Sequence, residues 1–297
     1  MSPIRFHIHN ETAPLTHVIM GTAEGYHRDP EQVAVVNSTQ EKTVSATGHP
    51  TEAQLLPEFA AFRKAMEDAG VTVHQPRLAP PSVQDQTCPR DIGFVIGDLF
   101  VTAGMRHPSR TEEIEGIRHI LEASSGRHLV VPPHMALEGG DVVVDAPYVF
   151  VGVGQRTDPG GPALLEEALG AGFEVVPLPC RSADEGEEVL HLDCTFNPLG
   201  RGHALIYPDG LVEIPSQVAE RYALIEVTRQ EAEALATNVF SVAPDHIIAR
   251  AYPSCARVNA ALRDAGYRVT EVEFNGVPSI GGSFRCATLP LARQASD

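Results

Sequence analysis

Apolar positions along the chain switch between a helical period and a strand period, and this order returns several times. In "FAAFRKAMEDAG", Phe59, Phe62 and Met66 recur at the spacing of one helix face, and Gly70 supplies a helix stop. A β-rich run follows the glycine. The same succession of helix, glycine turn and strand is predicted at three further glycines: Gly126, Gly172 and Gly266.

The spacing of these segments predicts a repeat. The four glycines are separated by 56, 46 and 94 residues. The last interval is about twice the others, so a fifth unit is expected within it. The segment 215–228, "PSQVAERYALIEVT", fits that unit as a helix leading into a strand, without a glycine at the join.

Paired β-type runs precede or separate these helices. They read "DIGFVIGDLFVTAG", "GGDVVVDAPYVFVGVG" and "GHALIYPDGLVEI", and their aspartates and glycines predict hairpin turns. Each unit is therefore predicted as β-hairpin, helix and strand, and a fixed period of this size is typical of radial or stacked repeats. With no linker-like stretch, residues 1–297 are expected to form one α/β domain with long loops at 38–56 and 181–189.

Composition agrees with a globular protein that has a sizeable core. Apolar residues make up 43% and charged residues 21% of the chain. The N-terminus lacks the apolar region of a secretory signal, and no apolar run reaches the roughly 18 residues of a membrane helix, so no membrane association is expected. Five well-separated cysteines argue against a disulfide framework or structural zinc site and favour a reducing cytoplasm.

The charge of the chain bears on its partners. The formal net charge is −17, and such a surface repels nucleic acid. It favours a cationic ligand, although acidity also serves solubility alone. Nucleic acid is therefore not an expected partner.

Reactive side chains interrupt the β-runs at recurring places. In "TCPRDIGF", Arg90 and Asp91 stand immediately before an apolar strand. In "MALEGGDVVV", Glu138 is followed by two glycines. An ordinary surface ion pair explains the first motif equally well, and a hairpin turn beside a solvated glutamate explains the second.

Two further motifs contain a histidine and a cysteine. In "HLDCTFNPLG", an extended chain would direct His191 and Asp193 to one face and Cys194 to the other, into packing. In "GGSFRCATLPL", Cys286 is either a small core residue or a presented nucleophile. All four motifs occupy the same location in successive units, so units arranged around an axis would bring them together into a site.

In this order, the motifs "PRD", "LEGGD", "HLD-T-F-PLG" and "GG-x-x-x-C-x-x-LPL" resemble the guanidino-group-modifying superfamily. Its members include arginine deiminases, dimethylarginine dimethylaminohydrolases, arginine dihydrolases and glycine amidinotransferases. The resemblance implies a five-bladed ββαβ propeller of the pentein type, with pseudo-fivefold symmetry around a central site. Its motifs run from about residue 85 to residue 291.

The resemblance implies a role for each motif residue. Cys286 would attack the central guanidinium carbon as a thiolate, and His191 would protonate the departing nitrogen and then activate water. Asp91 and Glu138 would accept the guanidinium N–H groups, since carboxylates match that planar fork. Asp193 would either bind the substrate or orient His191.

A substrate carboxylate would need a cationic partner. In "GVGQRTD", Arg156 resembles an arginine of the family, and "GMRHPSRTEE" offers Arg106 and Arg110. Arg90, beside Asp91, joins these substrate-binding candidates. Asn37 in "VVNST" resembles an asparagine of the dihydrolase-like members.

The expected activity is hydrolysis of the guanidinium group of arginine or a related cationic compound. The reaction would pass through a thiouronium-type intermediate and release ammonia or an amine. An amidinotransferase is the alternative, because the motifs resemble those of transferases too. A non-catalytic protein on the same fold is a third hypothesis, opposed by the joint presence of the four reactive side chains. No metal or cofactor is implied, and a homo-oligomer stays open.

The segment before Cys286 departs from the family pattern. Family members commonly have three glycines there, whereas this chain has Ser283 in the third place, followed by Phe284 and Arg285. These departures bear on the substrate more than on the chemistry.

Overall fold

The structure is a computed structural model that describes residues 3–29 and 34–295. Its strands are β1 (Ile4–Arg5), β2 (Leu15–Met20), β3 (Thr72–His74), β4 (Gly93–Ile96), β5 (Leu99–Thr102), β6 (Ser124–Ser125), β7 (Arg127–Val130), β8 (Val142–Asp145), β9 (Tyr148–Val153), β10 (Glu174–Pro179), β11 (Phe196–Pro198), β12 (His203–Ile206), β13 (Ala223–Glu226), β14 (Phe240–Ala243), β15 (His246–Arg250), β16 (Arg268–Val272) and β17 (Thr288–Arg293). Its α-helices are α1 (Ser38–Thr47), α2 (Glu52–Asp68), α3 (Pro89–Ile92), α4 (Arg118–Glu122), α5 (Gly161–Leu169), α6 (Ser216–Ala219), α7 (Arg229–Glu233) and α8 (Ala256–Asp264).

Five three-stranded sheets share one connectivity. Their strand orders are β4-β5-β7, β8-β9-β10, β11-β12-β13, β14-β15-β16 and β17-β2-β3. In each sheet the first strand pairs antiparallel with the middle strand, and a helical connection leads to a third strand that pairs parallel with it. The predicted alternation of strands and helices in an α/β fold is confirmed. The arrangement of these sheets around one axis stays a prediction.

The last sheet joins the two ends of the chain. Strand β17 pairs antiparallel with β2, and β2 pairs parallel with β3 after the long connection through α1 and α2. The segment before β17 is the one that contains Cys286. The nucleophile candidate is therefore held by pairing between residues that are far apart in sequence.

Helix α2 shows why the predicted helices form. Thr51 caps it in a capping box with Gln54, which satisfies two free N–H groups at its start. The buried side chains are Leu55, Phe59, Phe62 and Met66, which follow the helical spacing read from the sequence. Gly70, with φ of 84°, ends the unit in the left-handed region that glycine adopts readily.

Aromatic packing fixes the segment before Cys286. Phe284 is fully buried, and its ring lies 4.6 Å from the ring of Phe62 and 4.9 Å from that of Phe274. Rings at these separations gain about 0.5–1.5 kcal/mol beyond the area that they bury. Phe284, unusual for the family pattern, is therefore a core anchor.

The expected loop at 38–56 is wrong, because α1 occupies most of it. Asn37 caps α1: its Oδ1 accepts a hydrogen bond from the Gln40 backbone N–H at 2.7 Å. The Thr43 hydroxyl donates to the carbonyl of Ser279 at 2.5 Å. The helix has the largely polar sequence "STQEKTVSAT" and lacks the apolar face that periodicity detects. At 181–189 the structure is irregular, as expected, apart from one 3₁₀ turn at 183–185.

The predicted hairpin at Asp209 and Gly210 is also wrong. Strand β12 pairs antiparallel with β11, which precedes it, while residues 208–210 form a 3₁₀ turn. The Tyr207 N–H donates to the Thr195 carbonyl at 2.7 Å, which extends the pairing toward the upstream segment. Beyond the turn, Leu211 makes an isolated bridge with Cys180.

A buried ionic group, here called the Glu11 cluster, consists of Glu11, Arg90, Asp193, Arg285 and Arg293. Arg285 Nη1 lies 2.8 Å from Glu11 Oε2, and its Nε lies 3.4 Å from Asp193 Oδ2. Burial alone would raise the pKa of Glu11, but the charges of the three guanidinium groups lower it to about 2. Arg285 therefore compensates buried carboxylates in the interior.

Among the described residues, no helix has the length and apolar character needed to cross a membrane.

We expect Glu11→Ala to lower the free energy of unfolding by about 3–5 kcal/mol, because it leaves buried guanidinium groups without their carboxylate. Urea unfolding at neutral pH, followed by circular dichroism, measures this. The matched control is Glu271→Ala, which removes a partly exposed pair with Arg263 and should change the free energy by about 1 kcal/mol or less. Equal effects of the two substitutions would contradict the role given to the Glu11 cluster.

Candidate active site

One cleft is lined by six of the ten side chains predicted from the sequence as site residues: Asn37, Asp91, Arg110, Arg156, His191 and Cys286. Glu138 lies directly behind His191, to which it is hydrogen-bonded. The remaining candidates, Arg90, Arg106 and Asp193, do not line this cleft. The structure thus brings together residues that are nearly 250 positions apart in the chain.

The reactive side chains stand at the starts of strands. Asp91 lies in the short helix α3, directly before β4. Glu138 precedes a 3₁₀ turn at 139–141 that leads into β8, and His191 precedes a similar turn at 192–194 before β11. Cys286 lies two residues before β17. At each of these positions the polar residue lies just before the strand and outside its pairing with the neighbouring strand.

His191 is held between two carboxylates. Its Nε2 lies 2.8 Å from Glu138 Oε2, and its Nδ1 lies 3.7 Å from Asp91 Oδ1. Burial alone would lower the pKa of His191, but the charge of Asp91 and the hydrogen bond with Glu138 raise it to about 10. The ring is therefore an imidazolium at neutral pH and can donate a proton.

Glu138 is completely buried and accepts several hydrogen bonds. Its Oε1 accepts the Arg106 backbone N–H at 2.9 Å, and its Oε2 accepts Arg156 Nη1 at 3.0 Å. Burial alone would raise the pKa of Glu138, but the hydrogen bond and charge of His191, with the nearby arginines, lower it to about 2. Glu138 is thus a fixed negative charge at the base of the cleft.

Arg110 links Asp91 to a residue that sequence reasoning missed. Its Nη1 donates to Asp91 Oδ2 at 2.7 Å, while its Nε and Nη2 donate to the two carboxylate oxygens of Glu113 at 2.7 and 2.9 Å. Glu113 is buried, and burial raises its pKa to about 8 despite the charge of Arg110. The Arg110–Glu113 spacing of three residues was the available signal.

One oxygen of Asp91 is left over. Oδ1 is buried and has no hydrogen-bond partner among the described residues; His191 Nδ1, which faces it, is likewise without one. A buried carboxylate oxygen without a donor costs free energy. A ligand carrying N–H donors would satisfy it.

Cys286 is 2% exposed and lies in the cleft beside a second thiol. Its carbonyl accepts the Arg90 backbone N–H at 3.2 Å, which ties it to the segment of Asp91. A Cβ added at Gly282 would lie 2.6 Å from Cys88 Sγ and 3.3 Å from Cys286 Cβ. Cys88, which the motif reading did not single out, therefore lies near Cys286, across Gly282.

The expectation that His191 and Asp193 share one face is wrong. Residues 192–194 form a 3₁₀ turn, so the side chains do not alternate as in a strand. His191 faces Glu138, whereas the Asp193 carboxylate faces Arg285 in the Glu11 cluster. Cys194, expected in packing, lines a neighbouring cleft.

The other arginines and Asn37 take different positions. Arg90 donates from Nε to the Arg285 carbonyl at 3.2 Å and so lies in the interior. The Arg106 side chain is 39% exposed and pairs with Asp158. Asn37 lines the cleft as the cap of α1, and its Nδ2 donates to the Ile280 carbonyl at 3.0 Å.

Ligand atoms of Asp91, Glu138 and His191 lie within 4.8 Å of one another, close enough to surround a metal ion. Their chemistry fits a metal poorly. The carboxylates are already bonded to Arg110 and Arg156, and a protonated His191 has no free lone pair to coordinate. The unpartnered oxygen of Asp91 instead suits a ligand that brings its own N–H donor.

Comparison with known proteins gives related results from sequence and structure. The family model described as N,N dimethylarginine dimethylhydrolase, eukaryotic, matches residues 27–293. The chain is 38% identical over 210 residues to the uncharacterized protein YkgA of Bacillus subtilis, with 70% of each chain covered. It is 27% identical over 244 residues to an arginine deiminase of Mycobacterium marinum, covering 67% of this chain and 57% of that one.

Among solved structures, SxtG, an amidinotransferase of Microseira wollei in the saxitoxin biosynthetic pathway, superposes with a TM-score of 0.81. The identity is 19%, and the match covers 98% of both chains. This likeness concerns the fold.

We expect Glu138→Gln to lower the pH at which His191 loses its proton, because the substitution removes the adjacent negative charge. Nuclear magnetic resonance of the imidazole nitrogens over a pH titration measures this, with His191→Gln used to assign the signal. The control, Glu231→Gln, changes a carboxylate paired with Arg257 and should leave the titration unchanged. An unaltered His191 titration in Glu138→Gln would contradict the geometry.

The raised pKa of His191 also affects stability. Since the folded-state pKa of about 10 exceeds the ordinary 6.5, protonated His191 stabilises the fold fully below pH 6.5. That contribution is lost as the pH rises from 6.5 toward 10, and it should be smaller in Glu138→Gln over the same range.

Proposed function

This chain belongs to the N,N dimethylarginine dimethylhydrolase family, within the guanidino-group-modifying superfamily, and on that basis we propose that it is a cysteine-dependent hydrolase of arginine or a related guanidino compound. The observation that carries the proposal is that His191 lies between two buried carboxylates, Asp91 in the cleft and Glu138 behind it, and that Cys286 lines the same cleft. A guanidinium group is planar and carries donors on both sides.

The unsatisfied hydrogen-bond acceptor in the site indicates how a substrate would bind. A guanidinium N–H would donate to Asp91 Oδ1, the buried oxygen without a partner among the described residues. Glu138 lies behind His191 and both of its oxygens already accept hydrogen bonds, so it would favour the cation by its negative charge. The central carbon would then face Cys286.

The proposed reaction has two steps. When the guanidinium cation binds, the Cys286 thiol gives its proton to solvent. The thiolate then attacks the guanidinium carbon, and one C–N bond breaks as His191 donates its proton to the departing nitrogen. The leaving group is ammonia or an amine. Neutral His191 then takes a proton from water, which attacks the thiouronium carbon. Cleavage of the C–S bond releases a ureido product and restores the thiol. Further hydrolysis of that product would be a dihydrolase reaction.

The amidinotransferase alternative rests on the motifs, which resemble those of transferases too. In this case an amine acceptor takes the place of water at the second step. Both reactions would use the same carboxylates, His191 and Cys286. The two reactions therefore differ only in the acceptor, water or an amine.

We also propose that the five sheets surround the cleft as a five-bladed propeller in one domain. The repeated connectivity and the position of the reactive side chains at strand starts support this arrangement.

We expect purified protein to release ammonia or an amine from at least one of arginine, agmatine, guanidinoacetate and methylated arginines without an acceptor. Mass spectrometry identifies the products. Cys286→Ser should lower kcat by at least about 1,000-fold, because a hydroxyl lacks the nucleophilicity of the thiolate. Cys255→Ser, at a buried thiol outside the cleft, is the matched control and should keep activity.

If turnover requires an amine acceptor, the proposed activity is that of an amidinotransferase and not of a hydrolase. The absence of turnover with every guanidine, with and without an acceptor, would overturn both. Full activity of Cys286→Ser would refute the covalent route.

A further inference from the structure

The fourth sheet, β14-β15-β16, contributes none of the motifs predicted from the sequence. Each of the other sheets presents a reactive side chain shortly before its first strand: Asp91 before β4, Glu138 before β8, His191 before β11 and Cys286 before β17. In the fourth sheet, Asn238 occupies the same place, two residues before β14. This position is therefore the one at which a fifth functional side chain is expected.

Asn238 is fully buried and contacts the segment of Cys286 at three atoms. Its Oδ1 accepts the backbone N–H of Arg285 at 2.9 Å and that of Cys286 at 3.4 Å. Cys286 Sγ lies 3.7 Å from the same oxygen, within reach of an S–H donor. Asn238 Nδ2 donates to the Asp193 carbonyl at 3.2 Å. One amide group thus joins two of the four motifs.

The neighbours of Asn238 hold it in place. Asn197 Nδ2 donates to the carbonyls of Thr237 at 2.8 Å and Val239 at 2.9 Å, on either side of Asn238. Leu235 adopts φ of 58°, a left-handed conformation that a leucine takes only when its surroundings impose it. The Asn238 N–H donates to the Leu235 carbonyl at 3.0 Å. The amide is therefore directed at Cys286 by a rigid turn.

We propose that Asn238 is the positioning residue for Cys286: its Oδ1 fixes the backbone of the nucleophile and accepts the hydrogen of the resting thiol. The proposal rests on the role of Cys286 as nucleophile. An oxygen that accepts the thiol hydrogen favours the neutral form and sets the direction of Sγ. The two N–H bonds hold that direction during attack, when misplacement is costly.

A purely structural asparagine would affect stability alone. The pH dependence of thiol reactivity separates the two roles, because a change of charge close to Sγ shifts it in a defined direction and a loss of stability alone does not. The other titratable and charged side chains near Cys286 stay the same in all variants: Cys88, Arg90, His191, Asp193, Cys194 and Arg285.

The test measures the rate of Cys286 alkylation by iodoacetamide against pH in the full chain, with mass spectrometry of the Cys286 peptide. In Asn238→Ala the thiol loses the Oδ1 hydrogen-bond acceptor, so the midpoint of the curve of alkylation rate against pH should move to lower pH. In Asn238→Asp the two N–H groups keep an acceptor, but a negative charge near Sγ should move the midpoint to higher pH. Asn259→Ala, at a buried asparagine that donates to the Arg250 carbonyl, should leave the midpoint unchanged.

Opposite shifts in the two Asn238 variants support the proposal, whereas shifts of the same sign, or none, overturn it. If Asn238→Ala does not fold, Asn238→Asp decides alone, and an unchanged or lower midpoint overturns the proposal. On any guanidine that turns over, Asn238→Ala should also lower kcat about 100-fold with little change in KM. Alkylation needs no turnover, so failure of the proposed function does not affect this test.

Discussion

Three buried carboxylates in the interior, Asp91, Glu138 and Glu11, are each paired with cations, and this pairing organises the centre of the molecule. Asp91 pairs with Arg110, Glu138 with Arg156 and His191, and Glu11 with Arg285. An uncompensated charge in such an interior costs several kcal/mol. The chain therefore supplies guanidinium groups from distant segments, and their pairing fixes where each segment can lie. Asp91 Oδ1 is the exception, and it faces the cleft.

The same pairing explains the segment "GGSFRC". Phe284 anchors it in an aromatic cluster, and Arg285 extends away from the cleft into the Glu11 cluster. Gly282 has no room for a Cβ beside Cys88, and Gly281 adopts φ of 99°. The two residues that depart from the family pattern beside Cys286 are thus structural in this chain. They hold the nucleophile candidate through packing and charge without lining the cleft.

Sequence patterns predicted the repeated strands and helices well, because burial on one face imposes a regular spacing of apolar residues along the chain. Helix α2 and its glycine stop illustrate this. Helix α1 was missed because it is stabilised by the Asn37 cap and by contact with a distant turn, neither of which produces periodicity. The hairpin at Asp209 failed because turn residues do not reveal which strand is the partner.

For the site, the sequence indicated which residues belong to the motifs more readily than it indicated where their side chains point. The structure brings Asp91, Glu138, His191 and Cys286 close together, as the motifs predicted; their roles stay a prediction. Asp193 was expected to share a face with His191, but a single 3₁₀ turn directs it to Arg285. Glu113 was missed although its spacing of three residues from Arg110 was a local signal. Asn238 was missed since its contacts depend on which segments meet in the fold, and a lone asparagine carries no such information.

The proposed chemistry depends on attack by Cys286 on the carbon of a guanidinium group bound at Asp91. The most direct test is acid quenching during turnover of a guanidino compound, followed by mass spectrometry of the intact protein and its peptides. We expect a transient gain equal to the substrate mass less that of the leaving ammonia or amine, located on the Cys286 peptide. Steady turnover with every cysteine peptide at its unmodified mass, at all quench times, would contradict it.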